Sequence, residues 1–283
     1  MKISYLVATY DCPEWLDRHL EDLLTRQTND DFEVVVIHHK SPSYDIDIGE
    51  KWAAIDGRVR NLHDRDYGCY GPAWMHGWKH AKGEFVCNSN TDDFHLPQFT
   101  ETMYKYMKVA TGGMQTSKHE VAFGYGGIVV INEQGKQIGA GQRPPFDFQQ
   151  MSYECHAGPQ VCWRNDTKFR EAVDWTLMHK RAIQYTSAFD YWIWLYFMSM
   201  GYHGLAIPDI ITVYTQRADS VENSNKWANN WETYAAISEF FPHHFNGKLK
   251  HAPEFSYFKN LPPKDEWVAC MHRGKKWRQS KHV

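Results

Sequence analysis

The chain has 283 residues, 42% of them hydrophobic, with 31 Lys and Arg against 34 Asp and Glu for a formal net charge of −3. That length and apolar content provide for a substantial core, in one large domain or two closely joined halves, and exclude disorder other than at the ends. The charge balance excludes a global attraction to nucleic acid. Six cysteines with no paired C-x-x-C spacing exclude a small disulfide-built scaffold.

In chain order, Ile3-Ser4-Tyr5-Leu6-Val7-Ala8 predicts a strand buried on both faces, ended by the polar Thr9-Tyr10-Asp11. Pro13 then opens a helical pattern in which Trp15, Leu16, Leu20, Leu23 and Leu24 share one face. Phe32-Glu33-Val34-Val35-Val36-Ile37 predicts a second buried strand, and the strand, helix, strand order makes a right-handed parallel unit. An amphipathic stretch over residues 73–81 leads through Lys82-Gly83-Glu84 into the apolar Phe85-Val86-Cys87, which ends at Asn88-Ser89-Asn90-Thr91-Asp92-Asp93. Alternating strands and helices predict an α/β fold, with residues 9–11, 38–41 and 90–93 at the carboxyl ends of its strands. In open α/β sheets that edge binds ligands.

Asp92 and Asp93 are adjacent like charges. A divalent cation shared with a phosphate-bearing ligand would compensate them, since magnesium and manganese are held by hard oxygens, commonly one or two carboxylates plus phosphate. A solvated turn or a helix cap is the plainer alternative for such a pair.

Further along, residues 139–149, which include Gly139-Ala140-Gly141-Gln142-Arg143-Pro144-Pro145-Phe146, read as a loop between two halves of the chain. Ser187-Ala188-Phe189-Asp190 has the spacing of a capping box, and a carboxylate in a first helical turn is held rigidly and favoured in its charged form. The apolar run over residues 191–200 is shorter than the roughly 20 residues that span a bilayer and predicts a buried helix. Aromatic content of 15% leaves Trp74, Trp78, Trp163, Trp192, Trp194 and Trp227 as candidates both for core and for a sugar-binding cleft. The adjacent pairs His38-His39 and His243-His244 lack the spacing of a helical zinc site. The basic segment 272–283 reads as a solvated tail or as a contact for nucleic acid or an anionic membrane.

The opening residues 3–16, then Leu23-Leu24-Thr25-Arg26-Gln27-Thr28 before the second strand, resemble the start of glycosyltransferase family 2, the inverting family with the GT-A fold. Ala81-Lys82-Gly83-Glu84-Phe85 followed by Asp92-Asp93 resembles that family's approach to its metal-binding motif. Gly158-Pro159-Gln160-Val161-Cys162-Trp163-Arg164, then Ser187-Ala188-Phe189-Asp190-Tyr191-Trp192 and Gly201-Tyr202, resemble its acceptor half. The resemblance implies a GT-A, Rossmann-like, mixed and mostly parallel sheet flanked by helices, with a C-terminal acceptor region. It implies a nucleotide-diphosphate sugar donor bound by Thr9, Tyr10, Asp11, His39, Arg65, Asn90 and Asp92, with Asp92 and above all Asp93 on Mn2+ or Mg2+. Asp190 would be the general base that activates an acceptor hydroxyl.

Three departures from the family pattern bear on the donor. His38-His39 stands where an acidic pair is usual, Asn90 replaces the first Asp of the motif, and the usual Arg ahead of the third strand is absent, leaving Arg65 or Arg217 to serve. The expected organisation is a donor half over residues 1–95, an acceptor and catalytic half over 96–240, and an extension with a basic tail over 241–283. The acceptor would be a glycan or, through that tail, a modified nucleic-acid base. A nucleotidyltransferase and a non-catalytic carbohydrate-binding protein on the same fold stay open as alternatives. With the first strand at Ile3 and unpaired cysteines, neither a signal peptide nor a transmembrane segment is expected, and the cytoplasm is the expected location.

Overall fold

The computed structural model describes residues 1–241 apart from 65–69, 113–119, 154, 159, 186 and 219–225. Arg65 and the basic tail 272–283 therefore lie outside the described residues, as does the side chain of Trp227. The N-terminal half alternates as expected: β1 (Ile3–Thr9), α1 (Pro13–Arg26), β2 (Phe32–His39), α2 (Ser43–Ile55), β3 (Val59–Asp64), α3 (Tyr70–His80) and β4 (Phe85–Asn88). It continues with β5 (Phe94–His95), α4 (Phe99–Thr111), β6 (Val121–Asn132), β7 (Gln137–Gly141), α5 (Phe148–Met151) and β8 (Cys162–Arg164). Then come α6 (Thr167–Ala172), α7 (Trp175–Gln184), α8 (Phe189–Ser199), β9 (His203–Gln216) and α9 (Lys226–Phe240).

All strands join one mixed sheet in the order β3-β2-β1-β4-β8-β6-β9-β5, with β7 paired to β6. β3, β2, β1 and β4 are mutually parallel. β8 runs antiparallel to both β4 and β6, and β9 is parallel to β6. Two reversals cancel, so β9 points the same way as β1 and β4. Its carboxyl end reaches the edge where theirs end, which matters for the site below.

Alternation along each strand divides the core into two layers. Ile3, Tyr5 and Val7 of β1 and Val34 and Val36 of β2 face α1 and α4, packing on Leu16, Leu20, Phe99 and Met103. Leu6, Val35 and Ile37 face the other way, onto α3, α7 and α8. Trp74, Trp78, Trp163, Trp192 and Trp194 are buried in that second layer, so five of the six tryptophans flagged in the sequence are core residues. Trp78 and Trp163 pack at 5.1 Å between ring centroids, and Trp163 meets Trp194 at the same distance. Gly83 lets the chain cross β1 just before β4: a Cβ there would meet the Ser4 amide nitrogen at 2.6 Å.

Residues 139–149 are less of a loop than their sequence indicated. Gln137–Gly141 pairs with β6, and Asp147 caps α5 by accepting from the Gln150 amide at 2.7 Å. Only the short Gln142-to-Phe146 connection is irregular. Among the described residues, no helix is long and apolar enough to cross a membrane.

Candidate active site

The carboxyl ends of β1, β4 and β9, the connection after β7 and the start of α8 open into one cleft of about 930 Å³. Tyr10, Asp11, Asn90, Asp92, Asp93 and Asp190 all line it, so the structure brings most of the residues singled out by sequence together.

At the end of β1, Thr9 is 1% exposed and lies under the cleft rather than in it. Its hydroxyl donates to Asp45 Oδ2 at 3.0 Å, and the Cys12 amide donates to Asp45 Oδ1 at 3.3 Å. Asp45, fully buried in the first turn of α2, thus ties two chain segments 36 residues apart, and no local pattern marks it as a site residue. Asp11 adopts φ 51 and accepts from the Tyr44 hydroxyl. Tyr10, 57% exposed, projects at the cleft with the His39 ring 6.1 Å away, while His39 itself is 7% exposed. His38 is interior: it stacks on His63 at 5.1 Å and its Nε2 lies 3.0 Å from Asn61 Oδ1. Burial holds its imidazole below the usual range, hence neutral near pH 7.

The turn after β4 is anchored from inside. Asn88 Oδ1 accepts from the Val161 amide at 3.1 Å, joining β4 to the start of β8. His19 of α1 lies fully buried beneath the turn, with Nδ1 2.8 Å from the Asp93 carbonyl and Nε2 2.9 Å from Ser89 Oγ. A carbonyl only accepts, so Nδ1 carries the proton and Nε2 takes the bond from the serine hydroxyl. Burial pushes the His19 pKa down to about 4, which keeps that tautomer neutral.

The two carboxylates then part company. Asp93 is 1% exposed and turned inward: Oδ1 accepts from the Thr215 amide at 2.9 Å and Oδ2 from Asn90 Nδ2 at 3.0 Å. Burial, with the Asp92 charge next to it, pushes its carboxyl up to about 8. Asp92 has a quarter of its side chain exposed, at 26%, and pairs with Arg217 at 3.1 Å. Arg217 in turn packs over Trp15, 5.3 Å from the ring centroid. The Asn90 amide thus serves Asp93, which explains a neutral residue at that position. Arg217 stands just beyond β9, at the edge that the sheet topology assigns it.

Asp190 sits in the first turn of α8, and the capping box expected there does not form. The helix begins at Phe189 with Ala188 as its cap residue and no side-chain cap bond. Glu232 of α9 supplies the acceptor instead: its Oε2 takes the Ser187 amide at 2.5 Å and the Ala188 amide at 3.0 Å. The Phe189 amide donates to Tyr70 Oη at 3.3 Å. Asp190 is left facing the cleft, its Oδ1 accepting from the next amide, Tyr191, at 2.8 Å. Nearby, burial and then the Asp190 charge push the Cys155 thiol up to about 12, so it is not a nucleophile. Trp74 is the one tryptophan of the six flagged that lines the cleft among the described residues.

Among the described residues, no group of three or more His, Cys, Asp or Glu side chains could hold a metal ion. One outward carboxylate, Asp92, fits a different arrangement, in which an ion is shared with the phosphate oxygens of a bound ligand.

Residues 4–137 match the model of glycosyl transferase family 2. Over 103 residues, 36% of this chain, the sequence is 31% identical to EpsH of Bacillus subtilis (strain 168), named as a glycosyltransferase, of which 29% is covered. A stretch of 106 residues is 28% identical to the glycosyltransferase GlyG of Streptococcus pneumoniae serotype 4, covering 38% of this chain and 35% of GlyG. These matches thus span about a third of the length of those curated relatives. In structure the chain is similar to S. aureus TarS. The 1–349 fragment in complex with UDP superposes with a TM-score of 0.54 at 18% identity, over 90% of this chain and 76% of that one. At that identity the likeness is one of fold: a mixed sheet flanked by helices.

Proposed function

From the match of residues 4–137 to glycosyl transferase family 2, we propose that the chain is a member of that family and transfers a sugar from a nucleotide-diphosphate donor to an acceptor hydroxyl, with inversion at the anomeric carbon. The observation that carries the proposal is the shared cleft: the polar ends of β1 and β4, with Asp92 and Arg217, open into the same space as Asp190.

In this scheme Tyr10, Asp11 and Asn90 border the nucleotide end, and Thr9 holds its floor through Asp45. Asp92, with an accessible carboxylate, would hold Mg2+ or Mn2+; Asp93 would not, because its two oxygens are already taken by Thr215 and Asn90. The chemistry such an ion would supply, when bound, is stabilisation of the charge on the departing diphosphate. Arg217 stands beside Asp92 and adds a positive charge on the same edge. Asp190 removes the proton from the acceptor hydroxyl as it attacks, a role that requires a charged carboxylate facing the cleft. Its place in a first helical turn favours that charge. His38, buried and neutral, cannot replace an acidic base reader, so base recognition falls to groups nearer the cleft such as Tyr10.

Two substitutions test this. Asp190→Asn is expected to lower turnover by about 10²- to 10⁴-fold with donor binding intact, as befits a general base. Asp92→Ala is expected to abolish manganese-dependent binding of the donor in calorimetry. Near-normal turnover in the first, or unchanged metal-dependent affinity in the second, would remove the corresponding role.

A further inference from the structure

We propose that the acceptor side of this cleft recognises an acceptor carrying an anionic oxygen group, phosphate or carboxylate, through Arg143. The proposal rests on the transferase reading above and specifies the substrate class of the same site.

Arg143 lines the cleft together with Tyr153, Cys155, Gly158 and Asp190. It lies two residues after β7, and the chain behind it is pinned. Pro144 and Pro145 limit the backbone. Tyr125 Oη donates to the Pro144 carbonyl at 3.0 Å, and the Phe146 ring packs on Phe123 at 6.0 Å and His203 at 5.0 Å. The guanidinium itself lies on the backbone of Gly158: a Cβ there would meet Arg143 Nη2 at 2.6 Å and Cζ at 3.2 Å. Gly158 also has φ +76, a backbone conformation that favours glycine at this position.

A cation fixed in that way normally has a protein anion against it. Arg217 pairs with Asp92, Arg164 with Glu120 and Asp166, Arg181 with Glu239, and Arg58 with Asp56 and Asp30. Arg143 forms no ion pair or hydrogen bond with any described residue, although Asp190 lines the same cleft. It lines the cleft, and among the described residues no acceptor is bonded to it. Guanidinium is the side chain best suited to bind phosphate or carboxylate through two parallel hydrogen bonds. An anion held there would carry a neighbouring hydroxyl toward Asp190, whose charge acts on the same Cys155 thiol as that of Arg143.

Calorimetric titration of the full chain, with its nucleotide site saturated by UDP, tests this with glucose 6-phosphate, glucuronate and glucose. At least one anionic sugar is expected to bind about tenfold or more tightly than glucose, the gain of one charge-assisted pair. Arg143→Gln should abolish that preference, Arg143→Lys should restore part of it, and Asp190→Asn should leave it in place. Equal affinity for charged and neutral sugars in the natural protein overturns the proposal, and so does a preference that survives Arg143→Gln. UDP binding and thermal unfolding of each variant establish that it is folded. If neither UDP nor any other nucleoside diphosphate binds the natural protein, the transferase reading itself fails; UDP bound without charge preference defeats only the anionic acceptor.

Discussion

The two acidic positions of the cleft are held in opposite ways. The turn that carries Asp92 is braced from within, by the buried His19 under it and by Asp93, whose oxygens reach Thr215 and Asn90. The turn that carries Asp190 is braced from outside its own segment, by Glu232 of α9 and Tyr70 of α3. In the first case one carboxylate is spent on structure while its neighbour faces the cleft. In the second the structural carboxylate comes from another helix, and Asp190 is released from capping. The same division of labour is reached by local means on one side and tertiary means on the other.

Asp93→Ala should break the local brace with the largest effect. It leaves the Thr215 amide and the Asn90 side chain without acceptors in a dry environment, at about 1–3 kcal/mol for each. A total loss of about 2–5 kcal/mol in denaturant unfolding is expected, whereas Asp92→Ala, at a more exposed ion pair, should cost less than about 1 kcal/mol. Similar stability losses for the two would show that the carboxylates do not differ in the way described.

Acid should act on the same brace. The His19 pKa is pushed down to about 4 by burial, so as pH falls the unfolded chain takes up the proton first, near 6.5, while the folded protein does not. Stability contributed by the neutral imidazole is therefore present above pH 6.5 and is lost progressively between about 6.5 and 4. At pH 5 the loss from His19 comes to about 2 kcal/mol relative to neutral pH. The buried His95 and His38, also shifted downward by burial, add to it with the same sign. Asp93, whose carboxyl burial holds up at about 8, works in the opposite sense and gains stability as pH falls from about 8 toward 4. The His19 part is therefore read as the difference between the natural protein and His19→Gln in their denaturant midpoints at pH 7 and pH 5.

These two turns also explain what could be read from the sequence. β1, β2, β4 and the Asp92-Asp93 turn are legible because each apolar run and its polar end are contiguous, and parallel strands necessarily put those ends on one edge. The division between Asp92 and Asp93 is not legible, since it depends on the Thr215 amide, delivered 122 residues later by β9. Arg217 reaches Asp92 only because β8 reverses between two sets of parallel strands, a pairing that no local pattern encodes. Ser187 and Asp190 have the spacing of a capping box, yet spacing says nothing of a better acceptor arriving from α9. Arg143 was visible only as part of a Gly- and Pro-rich connection; its seat on Gly158 needs both segments in place.

Glu232 therefore supplies the sharpest contrast between the two braces, with a smaller stability effect than Asp93. Its carboxylate accepts two amides in a part-buried position, so Glu232→Ala should cost about 1–2 kcal/mol, less than Asp93→Ala. Glu232→Gln keeps an acceptor oxygen in the same place and should recover most of that. The informative readout is turnover. Asp190 depends on the Ser187 and Ala188 amides being fixed ahead of it, and with Glu232→Ala those amides need another acceptor, for which Asp190 is the nearest acidic side chain in sequence. Its carboxylate would then be drawn into the capping box that the sequence spacing permits. A fall in kcat of about tenfold or more, with the donor KM little changed, is expected for Glu232→Ala and not for Glu232→Gln. If the alanine variant turns over normally at a temperature where it is folded, Asp190 does not need an external cap to face the cleft, and the two turns are held alike after all.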